Sequence, residues 1–404
     1  MAQRRGRCQR DGRTRLLGAC GLQVLLRYQR SYHNLFVHEN SMRCPRPTRR
    51  CVLVVSVVLG FLVLVITHYS IISKKTNKPL AWHFNPAFKK QVHKYVLSVL
   101  ADKCYPSRMR QSLLARLPAS SRETQPFLSK DAPLSKDLFL YPPPFGFRGL
   151  GGMVDDLLKL LPDYMPLAEK TPDKCRRCVV VGNGGILRGL ELGSLIDRFD
   201  TIIRLNSGPL GEFSVDVGNR TSIRMSYPEG MPNQWPDTDP QTLFAGVVYK
   251  RVDITWMSAM IRKSNVPLWD WFFFWQKVPS EIPLEPKMFK LLNPRVVRET
   301  ALDLLKYPPP RSPMWGWDQN VPTLGVCALN LASLLCDEVS LAGFGYNLSQ
   351  KRAPLHYYDE LHMSDMLQQK MHNVDRETEL LNSLVKEGTI TDLTAGIHCS
   401  FCNS

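Results

Sequence analysis

The longest apolar run in the chain is Cys51 to Thr67, CVLVVSVVLGFLVLVIT. These seventeen residues carry no charge, and the run continues through His68 and Tyr69 to Ile71 and Ile72. About 20 such residues cross the hydrocarbon core of a bilayer, and each Leu, Val, Ile or Phe favours its centre by about 0.3 to 0.6 kcal/mol. The pattern predicts a retained signal anchor over residues 51–72. A cleaved signal peptide would begin nearer the N-terminus and end in a small-residue cleavage motif. Downstream the apolar positions come in shorter pieces. Lys89 to Leu100, Val154 to Leu161 and Ala328 to Leu335 read as helices. Cys178 to Val181, Thr201 to Leu205, Leu243 to Val248 and Val339 to Ala342 are short, β-branched runs that read as strands covered on both faces. Helices alternating with such strands predict an α/β fold with a mostly parallel sheet. Polar residues 73–100 and the Pro-, Ser- and charge-rich stretch from Pro118 to Pro144 read as a stem and linker over 73–140, leaving 141–404 as one globular domain.

Charge bears on the membrane reading more than on any ligand. The chain's net charge is +16, and residues 1–50 supply +10 of it, with twelve Arg, no Lys and only Asp11 and Glu39 as acids. The rest is mildly basic, which argues against nucleic acid as a partner. An Arg-rich tail ahead of an anchor predicts a cytosolic N-terminus and a luminal domain of about 330 residues. Met42, nine residues before the span, offers an alternative start. In an oxidising lumen the seven cysteines beyond the anchor can form disulfides, and the odd number leaves at least one unpaired within the chain. Asn219-Arg-Thr221 and Asn347-Leu-Ser349 fit the N-glycosylation pattern.

The candidate chemistry starts at a glycine-rich turn. Gly182, Gly184 and Gly185 follow the first strand, and this pattern predicts a tight turn whose N–H groups approach a phosphate before a helix near Ile186. A plain structural turn fits the same residues. Asn206, where a dinucleotide fold would put an acid on the ribose, argues against NAD, as does Leu187 at the last glycine position of GxGxxG. The segment Pro267 to Gln276, PLWDWFFFWQ, reads as an interior helix or a lid over a pocket in preference to a face that meets sugar or lipid. Pro236-Asp237-Thr238-Asp239-Pro240 contains the Asp-x-Asp pair that a metal-dependent, nucleotide-diphosphate-sugar transferase would need, but its prolines read as an exposed acidic loop.

Four stretches, in order, resemble the motifs of the animal sialyltransferases. Cys178 through Asn206 to Gly218 is similar to the large sialylmotif, and Asn320 to Tyr346 (NVPTLGVCALNLASLLCDEVSLAGFGY) to the small one. His356-Tyr357-Tyr358-Asp359 resembles the short third motif, and His372 with Glu377 the very small His-x4-Glu motif. The resemblance runs from about Pro142 to Leu393. Its α2,3 branch, in particular the part that takes lactosylceramide, is suggested by PPPFGFR, by Lys174 to Val180, by YPEG at 227–230 and by the aromatic block. The family implies a Rossmann-like variant of a glycosyltransferase fold and a type II protein of the Golgi membrane. It also implies inverting transfer of sialic acid from CMP-sialic acid to a galactose 3-hydroxyl, with no metal or other cofactor.

By the same resemblance Cys178 pairs with Cys336, closing a loop of about 160 residues worth roughly 4 to 5 kcal/mol, and Cys104 pairs with Cys175. Cys327, Cys399 and Cys402 stay unassigned, with a local Cys399–Cys402 bridge open. Asn183 and Asn206 are implied to hold the cytidine monophosphate, Thr323, Leu324 and Gly325 to line the same pocket, and Tyr357 to belong to the donor site. Gly345 is implied to approach the nucleotide where a side chain would clash. His356 is implied to stabilise the departing phosphate, and His372 to take the proton of the attacking hydroxyl. Glu377 either orients that histidine or caps a helix. Gly184 stands where many relatives have Ser, and Ile186 where some have Asn. A membrane-anchored binding protein without turnover is the non-enzyme alternative, and the two histidines argue against it.

Overall fold

The computed structural model describes residues 56–63, 85–162, 175–310, 320–346 and 348–402 except Gln368 and Lys370. Contacts divide the chain into units 1–76 and 77–404. In the first, residues 56–63 are helical with exposed Val57, Leu59, Phe61 and Val63. The rest of the predicted anchor, the Arg-rich tail and Met42 lie outside the described residues. No described helix is long and apolar enough to cross a membrane.

The second unit is built on one eight-stranded sheet. In chain order its strands are β1 (Phe127–Leu128), β2 (Arg177–Val181), β3 (Thr201–Leu205), β4 (Ile223–Ser226), β5 (Leu243–Gly246), β6 (Phe289–Leu292), β7 (Glu338–Ala342) and β8 (Thr391–Asp392). They lie in the order β1-β6-β5-β4-β3-β2-β7-β8, and every pairing is parallel except β1 with β6. The helices are α1 (Pro86–Ala101), α2 (Arg108–Leu114), α3 (Gly151–Leu160), α4 (Gly193–Ile196), α5 (Ser214–Val217), α6 (Arg251–Arg262), α7 (Pro294–Arg298), α8 (Leu324–Leu335) and α9 (Val374–Lys386). This is the predicted α/β fold with a mostly parallel sheet flanked by helices.

Alternation along each strand divides the core between the two faces. Cys178 and Val180 face a cluster that includes Met109, Leu157, Trp256 and Leu331 from α2, α3, α6 and α8. Val179 and Val181 face a second cluster that includes Val92 and Val96 from α1, with Leu187, Leu190 and Leu192. Burial on both faces is why these strands read as unbroken apolar runs. α8 is buried almost all round, as a central helix must be.

Two expectations change. Residues from 85 onward, read as stem, are folded into the second unit: Val92, Val96, Met109 and Leu113 are core residues, and Phe127–Leu128 is an edge strand. The spaced apolar positions in this polar stretch are the inner faces of two helices. The helix predicted near Ile186 is one 3₁₀ turn, Gly185–Leu187, followed only by the four-residue α4. Gly189 and Glu191 both take positive φ and bend the chain, so Leu187, Leu190 and Leu192 plug into the second core instead of continuing a helix.

Candidate active site

The strand order reverses between β2 and β7: strands β3 to β6 extend to one side of β2, and β7 and β8 to the other. Ligands of open parallel sheets bind at such a point, beyond the carboxyl ends of the strands. A cavity of about 240 Å³ lies there, lined by the ends of β2 (Gly182, Asn183, Gly184), β3 (Asn206) and β7 (Gly343, Gly345). The start of α8 (Thr323, Leu324, Gly325) and both His356 and His372 also line it. A larger depression of about 560 Å³, bordered by Tyr95, Arg108 and Glu338, touches the small motif only at Glu338 and Val339 and holds neither His356 nor His372.

The glycines of the turn do not form the phosphate cradle that the sequence suggests. The amides of Gly182, Gly184 and Gly185 donate to the carbonyls of Ala342, Gly343 and Leu355 at 2.8, 3.1 and 3.0 Å. A Cβ at Gly182 or Gly184 would stand 2.6 or 2.5 Å from the Gly343 carbonyl, and one at Gly185 would run into Pro354. The glycines therefore let three backbone segments meet, so that the third motif lies alongside the turn. Gly184 bridges to His356, and the Tyr357 amide donates to the Asn183 carbonyl at 3.0 Å. Gly345, implied to approach the nucleotide, has φ +100° and packs on the Gly396 backbone, so its missing side chain is explained by that contact. Gly325 likewise packs on the Phe344 ring.

Asn206 follows β3 with φ +49°, a conformation that Asn tolerates better than most residues. Its Oδ1 accepts from Ser226 Oγ at 3.2 Å, so its amide NH₂ is the end it can offer a ligand. The Arg224 guanidinium holds the same bend from behind, donating to the Asn206 carbonyl at 2.7 Å. Arg224 is fully buried and ion-paired with Asp237, which also accepts from Thr221 Oγ1 at 2.5 Å. Asp237 is therefore an internal counter-ion and not part of the exposed acidic loop expected for it, although Asp239 is exposed. Among the described residues no group of three or more His, Cys, Asp or Glu could hold a metal ion.

Tyr357, implied in donor binding, is 2 % exposed and donates its hydroxyl to the Pro209 carbonyl at 2.7 Å. Its neighbour Tyr358 instead accepts from Asn183 Nδ2 at 3.4 Å, lies 3.3 Å from Ser207 Oγ and stacks on His356 with ring centroids 5.2 Å apart. The sequence singles out neither Tyr358 nor Asp359, whose carboxylate is 2.7 Å from His356 Nδ1. Their place in the motif beside His356 was the available signal. With Asp359 on Nδ1, Nε2 is the ring nitrogen left for a ligand.

His372 and Glu377 reach the cavity because of helix geometry. Asn373 caps α9, its side chain accepting from the Arg376 amide at 3.1 Å. His372 is then the residue before the cap and Glu377 the fourth helical residue, positions that meet on one side of a helix start. His372 Nδ1 is 2.7 Å from the Val321 carbonyl, which fixes Nδ1 as the protonated nitrogen of the neutral ring and leaves the Nε2 lone pair able to accept a proton. Burial holds its pKa below the usual histidine value, with the carbonyl acting in the opposite direction. Glu377 neither orients His372 nor caps α9. It accepts from the amide and the hydroxyl of Thr323, both at 2.6 Å, tying α9 to the start of α8.

Among the described residues three disulfides are present: Cys104–Cys175, Cys178–Cys336 and Cys399–Cys402. Cys327 is free and buried. Asn219 is exposed, and Asn347 lies outside the described residues.

Residues 127–389 match glycosyltransferase family 29 (sialyltransferase). The chain belongs to this family. A lactosylceramide alpha-2,3-sialyltransferase of Rattus norvegicus is 43 % identical over 89 % of this sialyltransferase and 94 % of its own length. The Homo sapiens protein of that name is 44 % identical over 85 % and 82 %. A human CMP-N-acetylneuraminate-beta-1,4-galactoside alpha-2,3-sialyltransferase is 36 % identical over 73 % and 77 %. The crystal structure of a mammalian sialyltransferase superposes with a TM-score of 0.53 at 24 % identity, covering 67 % of this chain and 90 % of that one, which supports the shared fold.

Proposed function

We propose that the protein transfers sialic acid from CMP-sialic acid to the 3-hydroxyl of the terminal galactose of lactosylceramide, forming ganglioside GM3. The observation that carries the acceptor choice is the identity of 43–44 % with the lactosylceramide enzymes, against 36 % with the galactoside enzyme. The galactose oxygen attacks the anomeric carbon while the bond from that carbon to the phosphate oxygen breaks, inverting the centre. The hydroxyl proton passes to His372 Nε2, and CMP leaves with the bonding pair. His356, backed by Asp359, donates to the departing phosphate. With the glycine-turn amides engaged elsewhere, the first-turn N–H groups of α8 at Leu324 and Gly325 are the anion seat, since a helix leaves these donors without internal partners. Asn183 and Asn206 hold the nucleotide beside them.

The same proposal gives the protein a cytosolic tail over 1–50, an anchor over 51–72 and a catalytic domain in the Golgi lumen. It includes glycans on Asn219 and Asn347, and no nucleic-acid partner, metal or cofactor. The test is a product assay with CMP-sialic acid and two acceptors in parallel, lactosylceramide and a galactose-terminated glycoprotein, each with and without EDTA. Sialylation confined to lactosylceramide and indifferent to EDTA is the expected result. Glycoprotein as the better acceptor, or loss of activity in EDTA, would overturn the corresponding part. Replacing His372 by Ala should lower kcat about a hundredfold or more with CMP affinity intact. Near-normal turnover would remove its assignment as base.

A further inference from the structure

The aromatic block that the sequence reads as interior or lid lies largely outside. Leu268, Trp269, Phe272, Phe273 and Trp275 are between 63 % and 76 % exposed, on and just after the 3₁₀ helix Leu268–Phe273. At 150–250 Å² for each large aromatic side chain, they expose on the order of 500 Å² of apolar surface within eight consecutive residues, the size at which a patch marks an interaction site. The block is held firmly from beneath. Asp270 is buried and accepts from Arg251 at 3.3 Å, Trp271 and Phe274 pack inward, and the Lys250 ammonium lies 5.0 Å from the Phe274 ring centre.

The surroundings specify the occupant. Between Arg262 and Lys277 the only acid is the buried Asp270, while Arg262, Lys263 and Lys277 are all exposed. Indole and phenyl rings framed by cations suit the interfacial layer of a phospholipid leaflet, where aromatic rings enter the headgroup region and ammonium or guanidinium groups meet phosphates. The predicted anchor ends at Ile72 and the packed unit starts at α1. The anchor proposed over residues 51–72 belongs to the same chain, and a membrane is therefore the surface this proposal takes the block to meet. The block also adjoins the site. Gln276 donates to the Glu229 carbonyl, and Gly230 packs on the Asn206 side chain that lines the cavity.

We propose that residues 262–277 are a membrane-docking surface that inserts Leu268, Trp269, Phe272, Phe273 and Trp275 into the leaflet carrying the acceptor, and so presents a lipid-embedded galactose to the site. This rests on the glycolipid reading above. The test uses the full chain in phosphatidylcholine vesicles containing lactosylceramide, compared with a water-soluble short-chain lactoside. The triple variant Trp269→Ser/Phe272→Ser/Trp275→Ser should raise KM for the vesicle acceptor tenfold or more, with kcat/KM for the soluble lactoside within twofold. Trp269→Phe with Trp275→Phe should restore the wild-type KM. An unchanged vesicle KM, or an equal loss with both acceptors, would overturn the proposal. A second readout is independent of the acceptor: nitroxide-labelled lipids should quench tryptophan fluorescence in the wild type and less in Trp269→Phe/Trp275→Phe. Equal quenching in both, or self-association through this face in place of lipid contact, would overturn docking. If neither acceptor is sialylated but quenching behaves as stated, the acceptor reading fails and the docking surface stands.

Discussion

Burial raises the Glu377 carboxyl from about 4.5 to about 7, against the lowering effect of its two bonds from Thr323. The protonated form is thus the one the fold favours. Its contribution to stability is fully present below about pH 4.5 and is lost as pH rises through about 7, a change of about 3 kcal/mol at 1.36 kcal/mol per pKa unit. Glu377→Gln keeps an acceptor for the Thr323 amide and puts a neutral group in the same volume. The variant should therefore show a flatter dependence of unfolding free energy on pH between 5 and 8 than the wild type, measured by urea denaturation. The same slope in both proteins would mean that Glu377 is already ionised without cost. The sequence shows the His-x4-Glu spacing but not what Glu377 does, because its partner lies 54 residues away on another helix. Tyr357 and Tyr358 illustrate the same limit. Adjacent in sequence and both packed on the second core, they differ in their polar ends: the Tyr357 hydroxyl is spent on the Pro209 carbonyl, while Tyr358 stacks on His356 and meets Asn183.

At the scale of elements, the strands are where sequence and structure agree best: Thr201–Leu205 is bounded as expected, and Cys178 and Val339 each gain one preceding residue. Short β-branched runs buried on both faces leave little freedom of assignment. Helices in polar surroundings were harder to read, as α2 shows, since only its long-range packing explains why Met109 and Leu113 are apolar. The sequence leaves two readings of the glycine turn open, a phosphate-approaching turn and a plain structural one, and the backbone bonds of its amides support the second. Its glycines act as spacers between β2, β7 and the third motif, a property of three segments that no single segment reveals. Gly185→Ala tests this directly, because the added methyl meets the Pro354 carbonyl, two residues before His356. The expected result is a fall in kcat of at least tenfold, with stability reduced by about 1–3 kcal/mol, the usual cost of overpacking. A phosphate-cradle role would instead weaken CMP binding and leave kcat at saturating donor nearly unchanged.

Across the whole unit, the disulfides differ in what they constrain. Cys178–Cys336 ties the start of β2 to the residue after α8 across 158 positions, beside the pairing of β2 with β7 that forms the reversal point under the cavity. Cys399–Cys402 spans only 3 positions, next to Phe401, which packs on Tyr95 of α1. If a bridge acts by restricting the unfolded chain, the long one contributes about 5 kcal/mol and the short one about 2. The carboxylate of Asp337, next to Cys336, also accepts from the amides of Ser107 and Arg176 at 2.7 and 2.8 Å, beside Cys104 and Cys175. The long bridge and Cys104–Cys175 thus brace one corner of the sheet, and loosening it would reach α8 and the anion seat proposed at its start. Replacing Cys178 and Cys336 together by Ala should lower the chemical-denaturation midpoint by more than twice the shift caused by replacing Cys399 and Cys402, and should also weaken CMP binding. Cys327 supplies the internal control: burial raises its thiol pKa well above the usual range, so it should resist thiol reagents in the native protein. Equal midpoint shifts for the two pairs would show that the short bridge and the α1 contact, rather than the long loop, dominate the stability of this unit.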